Sequence, residues 1–223
     1  LFTTGAATGV CAMVCLFASI MHVPILVTAV LGRDLQTGGY MLTCMMLPWM
    51  VCSALTRPLL KRFTYRALAG VGMAFAAVAY GILSRAETGS PLMLIVSAML
   101  VLGTGLGLTV APLLIAAQNA VTKDRLGAAT SLTQFTRSMG SALGLAVMGT
   151  LFLRPFGGQE PQGLVNFRAR HDSGALSAMV APMVSGLQHV FLAAFAIAVL
   201  GIVLAIAIPT GKAADLKVRV GET

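Results

Sequence analysis

The sequence predicts an all-α integral membrane protein, built as a bundle of six transmembrane helices. Of its 223 residues, 57% are hydrophobic and only 10% are charged, whereas soluble proteins carry about 25% charged residues. The mean hydropathy is +0.90, and several apolar runs reach the roughly 20 residues that span a bilayer core. Lipid is therefore the expected solvent for most of the chain.

Six apolar runs are the candidate membrane spans. They cover roughly residues 4–30, 38–56, 66–84, 91–116, 127–153 and 184–208. All seven acids lie outside these runs, and of the fifteen bases only Arg137 lies well inside one. Because a charged side chain at the bilayer centre is costly, this partition supports the segmentation.

The bases in the connections indicate the orientation. One alternate set of connections holds nine of them: Arg57, Lys61, Arg62, Arg66, Lys123, Arg125, Lys212, Lys217 and Arg219. The other set holds five: Arg33, Arg85, Arg154, Arg168 and Arg170. Since Lys and Arg are in excess in cytoplasmic loops, we expect the 57–66 and 117–126 loops and the tail 210–223 in the cytoplasm. This predicts a multi-pass protein of the cell membrane with a cytoplasmic carboxyl terminus.

The connection 154–183 is longer and more polar than the others. Pro155, Gly157, Gly158 and Pro161 interrupt any helix in its first part. We expect an external loop here, and Pro182 favours a turn before the last span.

Polar residues are unevenly distributed among the spans. The third and sixth are almost wholly apolar, whereas the first, second, fourth and fifth carry most of the Ser, Thr, Gln, Asn and His. Polar groups in hydrocarbon are costly unless they face a cavity or a partner. These four spans are therefore expected to line a pathway, and the other two to face lipid. His22 is a candidate pathway residue, although a lone histidine on a helix is more often hydrogen-bonded structure.

The fifth span carries the densest polar signal. Four of its residues step by four, three and four and so share one helical face: Thr130, Gln134, Arg137 and Ser141. This polar stripe predicts either a wall of a substrate pathway or hydrogen-bonding contacts between packed helices. In the same span Gly140 and Gly144 form a small-xxx-small pair that allows close helix contact.

Arg137 lies too deep for simple snorkelling to the interface. It follows Arg125 by twelve residues, or about 18 Å at helical rise. A guanidinium at this depth needs a carboxylate, carbonyls or water around it. No acid of this chain is expected at membrane depth, so any counter-charge would come from another chain or from a missing part of this one.

Other functions are not indicated. Gly103 and Gly107 in the fourth span have the wrong spacing and context for a dinucleotide site and suit close helix packing. The sequence has no metalloprotease, hydrolase or phosphate-loop motif, and its four cysteines have no ligand spacing. The bases form no stripe for nucleic acid. We therefore expect no enzyme, no catalytic residue, no metal, no cofactor and no nucleic-acid partner.

A run of about forty residues resembles a known family. Its fixed positions begin Gly103-Thr-Gly105-Leu-Gly107, continue through Pro112 and Ala117-Gln118-Asn119-Ala120-Val121, and end in Phe135-Thr-Arg137-Ser-Met-Gly140-Ser-Ala-Leu-Gly144. This pattern resembles the fourteen-helix drug:proton antiporters (EmrB/QacA type) of the major facilitator superfamily. The resemblance adds Gln118 and Asn119 to the candidate pathway residues.

The cytoplasmic loop 57–66 matches the superfamily pattern Gly-x-Leu-x-Asp-Arg-x-Gly-x-Arg in part. Leu59, Arg62 and Arg66 match and are the candidate gating-loop residues. Lys61 stands where the pattern has Asp, and Thr64 stands where it has its second Gly. A latch here is therefore expected to be weaker than in the family, or different.

The resemblance implies that residues 1–209 are the carboxyl-terminal six-helix half of a major facilitator fold. That half would consist of two inverted three-helix repeats, about 1–89 and 90–209, and would work with a missing amino-terminal transmembrane half. The implied function is proton-coupled efflux of drugs or amphipathic small molecules, with protons and a small-molecule substrate as partners in the lipid bilayer. Alternatives are an exporter of an endogenous metabolite or antibiotic, a non-transporting membrane scaffold, or a truncated remnant.

Overall fold

The computed structural model describes residues 2–122, 125–156 and 173–208. Within these ranges the chain is helical, and the connections are short. The helices are α1 (Phe2–Ile25), α2 (Leu35–Ala54), α3 (Thr56–Leu60), α4 (Tyr65–Leu83), α5 (Leu92–Asn119), α6 (Leu126–Leu153) and α7 (Ser173–Ile206). A π-helical turn, Leu26–Val30, extends α1, and a 3-10 turn, Arg154–Phe156, follows α6.

Among the described residues, five helical segments are long and apolar enough to cross a membrane. They are Thr3–Val30, Tyr65–Leu83, Leu92–Asn119, Leu126–Phe156 and Val180–Ile206. Five of the six predicted spans are thus confirmed on length and composition. The predicted second span does form a helix, the 20-residue α2, but it is not among the five. Gln36, Thr37 and Gly38 in its first turn make it less apolar than its neighbours.

Helices α1 and α6 run parallel and interlock. The side chain of Val10 on α1 fills the space beside Gly140 on α6, and Val14 fills the space beside Gly144. Both contacts advance by four residues along each helix, so the two helices point the same way. A methyl group on either glycine would collide with the valine that it faces.

Helices α2 and α5 form a second parallel pair. The backbone of Met45 approaches Gly103, and a Cβ added to Gly107 would lie only 2.8 Å from the carbonyl oxygen of Trp49. From the first contact to the second, the residue numbers rise by four on both helices, so α2 and α5 point the same way. Because glycine has no side chain, α2 can press its backbone directly against α5 at these two positions.

Helix α4 runs antiparallel to α7. Ala205 faces Gly70 near one end of the pair, and Phe195 faces Gly81 near the other. The exposed residues of α4 are all apolar, and so are those of α7 from residue 180 onward, except for His189. Such faces suit a lipid environment, as expected for the predicted third and sixth spans.

Helix α1 lies at the centre of the bundle and packs against α2, α5, α6 and α7. In its most apolar 18-residue window 61% of the residues are buried, against 17% in the corresponding window of α6. A buried polar contact also joins α1 to α4, where the Ser19 hydroxyl lies 2.7 Å from that of Tyr80. Tyr80 in turn donates to the carbonyl of Cys15. The core of the fold is therefore built around α1.

The start of α7 differs from the sequence-based expectation. The helix begins at Ser173 and contains Pro182, where a turn was expected. A proline within a membrane helix is tolerated when neighbouring groups satisfy the freed backbone carbonyl. Most of the predicted external loop, 157–172, and the predicted tail, 210–223, lie outside the described residues.

Candidate functional site

Arg137 points into the bundle from the inward face of α6. Its side chain is only 3% exposed, and Thr133 and Ser141, one turn before and after it, are also buried. The guanidinium reaches α5, where Nη2 donates a hydrogen bond of 3.3 Å to the carbonyl oxygen of Val110. The arginine is thus enclosed by this chain's own helices. It does not lie on the exposed side of α6, where a second half could reach it directly.

The other side of the guanidinium lies against α1. Gly9 is buried there, and a Cβ added to it would lie 2.9 Å from Nε of Arg137. That Nε is buried and has no hydrogen-bond partner among the described residues. The acids within the described ranges, Asp34 and Glu87, lie in the connections before α2 and after α4. A carbonyl, rather than a carboxylate, is the partner that the structure gives to this charge.

A small pocket opens beside Arg137, where the ends of α1, α4, α5 and α7 meet α6. Its walls include Gly5, Tyr65, Leu113, Thr133 and Ile208. The space open to the centre of a water molecule measures about 20 Å³, which accommodates about one water. The pocket is therefore too small to hold a drug-sized molecule.

Gln118 and Asn119 connect the end of α5 to neighbouring helices by hydrogen bonds. Nδ2 of Asn119 donates to the hydroxyl of Tyr65 on α4 at 2.9 Å. Nε2 of Gln118 donates more weakly, at 3.4 Å, to the hydroxyl of Thr130 on α6. Both residues, proposed from sequence as pathway residues, are thus placed in contacts between helices.

The polar stripe of α6 is not uniformly buried. Arg137 and Ser141 face the interior, Thr130 is half-buried, and Gln134 is exposed. Ser141 donates to the carbonyl of Ser138 in its own helix at 2.9 Å. Of the four predicted residues, only Gln134 lies fully on the open side of this chain.

His22 is buried between α1 and α6. Its Nδ1 lies 2.9 Å from the carbonyl oxygen of Ala18, and its ring meets the ring of Phe152 edge-on at a centroid distance of 5.8 Å. The arrangement is that of a packed, hydrogen-bonded histidine, which is the alternative that the sequence left open.

The predicted gating loop contains α3 and the first turn of α4. Arg62 is exposed, while Leu59 and Arg66 are half-buried. Thr64 caps α4, since its hydroxyl accepts a hydrogen bond of 3.2 Å from the amide of Ala67. Thr64, which stands where the superfamily pattern has glycine, is thus the N-cap of α4.

Sequence reasoning missed three residues around Arg137: Gly9, Tyr65 and Thr133. Thr133 lies four residues before Arg137 and donates to the carbonyl of Ala129 at 2.7 Å, so helical spacing could have identified it. Gly9 and Tyr65 come from other helices, and their proximity depends on the packing.

Comparisons with known proteins agree with a membrane transporter. The family model for the Major Facilitator Superfamily matches residues 1–145. The chain is also similar to two uncharacterized MFS-type transporters, Rv1877 of Mycobacterium tuberculosis (strain ATCC 25618 / H37Rv) and MT1926 of Mycobacterium tuberculosis (strain CDC 1551 / Oshkosh). Each is 30% identical over 204 residues, which is 86% of this chain and 30% of the relative.

A multidrug transporter is also similar. The multidrug transporter protein MdtP of Bacillus subtilis (strain 168) is 26% identical over 136 residues, covering 61% of this chain and 25% of the relative. The chain thus spans less than a third of the length of each of these relatives. Since the family model covers more than half of the chain and the structure is a bundle of apolar helices, the chain belongs to the major facilitator superfamily.

Proposed function

We propose that the chain is one six-helix part of a proton-coupled exporter of drugs or other amphipathic small molecules. Membership of the superfamily points to a membrane transporter rather than an enzyme. The similarity to a Bacillus multidrug transporter supports a drug-like substrate. Protons as the coupling ion come from the sequence resemblance to drug:proton antiporters.

The observation that carries the proposal is the exposed polar row on α6. Ser131, Gln134 and Ser138 step by three and four residues along one face, and all three are exposed. Polar side chains of a membrane span are costly in lipid and normally face protein or a water-filled cavity. Here they lie on the least buried of the five apolar helices. Further protein, with a water-filled cavity between, would remove this cost.

The length of the relatives supports the same conclusion. This chain matches only 30% of the mycobacterial transporters, so those proteins contain ample sequence for another bundle. We infer that a missing amino-terminal half covers α6 and α2, and that the substrate passes between the two halves. The bilayer, the substrate and protons are the proposed partners, and the cell membrane is the proposed location.

The contact pattern is compatible with two inverted repeats. In such repeats α1 corresponds to α5, α2 to α6, and α4 to α7. The α1–α6 contact then corresponds to the α5–α2 contact, and the α4–α5 contact corresponds to the α7–α1 contact. All four of these contacts are observed. This correspondence supports repeats of about 1–89 and 90–209 as the basis for alternating access.

Efflux from cells tests the proposed function. The complete reading frame that contains this chain is expressed in a strain lacking its major exporters, and loss of a fluorescent cationic dye is followed. We expect energised cells to expel the dye faster than vector controls and to lose the difference when a protonophore collapses the gradient. Efflux equal to the vector control for a panel of amphipathic dyes would contradict the proposal.

A further inference from the structure

Gly9 on α1 occupies a position where a side chain would collide with Arg137 as it is placed. A Cβ built there would lie 2.9 Å from Nε, 3.3 Å from Nη2 and 3.5 Å from Cζ of Arg137. Separations below 3.0 Å are essentially never adopted by real Cβ atoms. A side chain at position 9 therefore requires the guanidinium of Arg137 to shift from its observed position.

The helices cannot separate to make room without losing other contacts. Val10 and Val14 of α1 insert beside Gly140 and Gly144 of α6, immediately after Gly9 in the sequence. The two helices thus interlock in both directions, with valines of α1 against glycines of α6 and Arg137 of α6 against a glycine of α1. Moving α1 away would break the apolar part of this interface.

Moving the guanidinium aside would disturb its hydrogen bond to α5. On α5 its Nη2 donates to the carbonyl of Val110, and this is its observed hydrogen bond to a neighbouring helix in the described part of the chain. The displacement caused by a methyl group at position 9 would weaken this bond. Because Nε already lacks a partner in the described part of the chain, the buried charge would then be still less well compensated.

We propose that Gly9 is the positioning residue for Arg137: its missing side chain lets the arginine charge sit between α1 and α5 at this depth of the membrane. One consequence of the proposal, that a side chain at position 9 lowers efflux, rests on the proposed transport function. The contact itself can be tested without transport.

Gly5 provides a matched control one helical turn earlier. A Cβ added there would lie 3.7 Å from Cδ2 of Leu113, which is an ordinary van der Waals distance. Alanine has a higher helix propensity than glycine, so propensity alone would favour both Gly5→Ala and Gly9→Ala. A difference in Tm between the two variants therefore reports on the contact between position 9 and the guanidinium.

The test is a double-mutant cycle on the complete reading frame. Gly5→Ala, Gly9→Ala, Arg137→Ala and the Gly9→Ala/Arg137→Ala double variant are purified in detergent, and Tm and dye efflux are measured. We expect Gly9→Ala to lower Tm by several degrees and efflux about tenfold, and Gly5→Ala to leave Tm unchanged or slightly raised. With Arg137 already replaced, Gly9→Ala should leave Tm unchanged or raise it, because the methyl group enters vacated space.

An equal loss of Tm from Gly9→Ala with and without Arg137 would show that Gly9 only packs α1 against its neighbours and would overturn the proposal. So would a Gly9→Ala variant that matches the unsubstituted protein in Tm. If the unsubstituted protein shows no efflux, the proposed function fails, and the Tm cycle alone decides whether Gly9 positions Arg137.

Discussion

At the scale of single residues, the main finding is how the charge of Arg137 is accommodated. The sequence suggested a carboxylate, carbonyls or water as partners, with any counter-charge coming from outside this chain. Of these partners the structure provides a carbonyl, that of Val110 on α5, and Nε is buried without a hydrogen-bond partner among the described residues. An incompletely compensated buried charge costs stability. A residue kept at such a cost is a candidate for function.

Arg137→Gln tests this interpretation. Glutamine is polar but carries no charge, and its amide ends near the position of Nε, so it gives up the hydrogen bond to the Val110 carbonyl. We expect Tm to stay constant or rise, because the incompletely compensated buried charge is removed. If the charge acts in transport, efflux per molecule should fall about tenfold or more at equal membrane abundance. Arg137→Lys keeps the charge without the planar fork, so its efflux should lie between that of the unsubstituted protein and that of Arg137→Gln. Normal efflux in both variants would reduce Arg137 to a packing residue.

At the scale of elements, the sequence predicted the helices well because hydrophobic length is a local property. The spans around 66–84 and 127–153 agree with α4 and α6 within a few residues. The turn predicted at Pro182 was wrong. Proline is a weaker turn signal within a membrane helix, where neighbouring groups can satisfy the freed carbonyl. Gln134 shares a helical face with Arg137 but is exposed, so periodicity alone could not decide its burial. The contact of Gly9 with Arg137 depends on the relative positions of two helices, which no local pattern encodes.

The exposed polar row on α6 leads to a prediction at this scale. In a background lacking Cys11, Cys15, Cys44 and Cys52, single cysteines replace Ser138 on α6 and Val199 on the apolar face of α7. If α6 lines a water-filled cavity in the complete protein, a small water-soluble maleimide should label Ser138→Cys in inside-out vesicles. Val199→Cys should remain unlabelled because thiols in lipid react slowly. Equal labelling of the two positions would show that the row on α6 does not face water.

At the scale of the whole molecule, the helix directions agree with a chain that crosses the membrane six times. The pairs α1–α6 and α2–α5 are parallel and α4–α7 is antiparallel, as alternating spans require. This places the loop 57–66 and the connection around residue 122 at one end of the bundle, and the connection around residue 88 at the other. The excess of bases at the first end predicts that it is cytoplasmic.

Cysteine accessibility in intact cells tests this orientation. Lys61, Thr122 and Thr88 are exposed and can each be replaced singly by cysteine in the cysteine-free background. We expect a membrane-impermeant maleimide to label Thr88→Cys and to reach Lys61→Cys and Thr122→Cys only after permeabilisation. Labelling in the opposite pattern would reverse the topology.

Reconstitution tests the central claim, that this bundle transports only together with further protein covering α6. Proteoliposomes are prepared with the complete reading frame or with residues 1–223 alone, at equal protein content, and dye movement is driven by an imposed proton gradient. The account predicts gradient-dependent transport by the complete protein and none above empty liposomes by residues 1–223. Robust gradient-driven transport by residues 1–223 alone would contradict it.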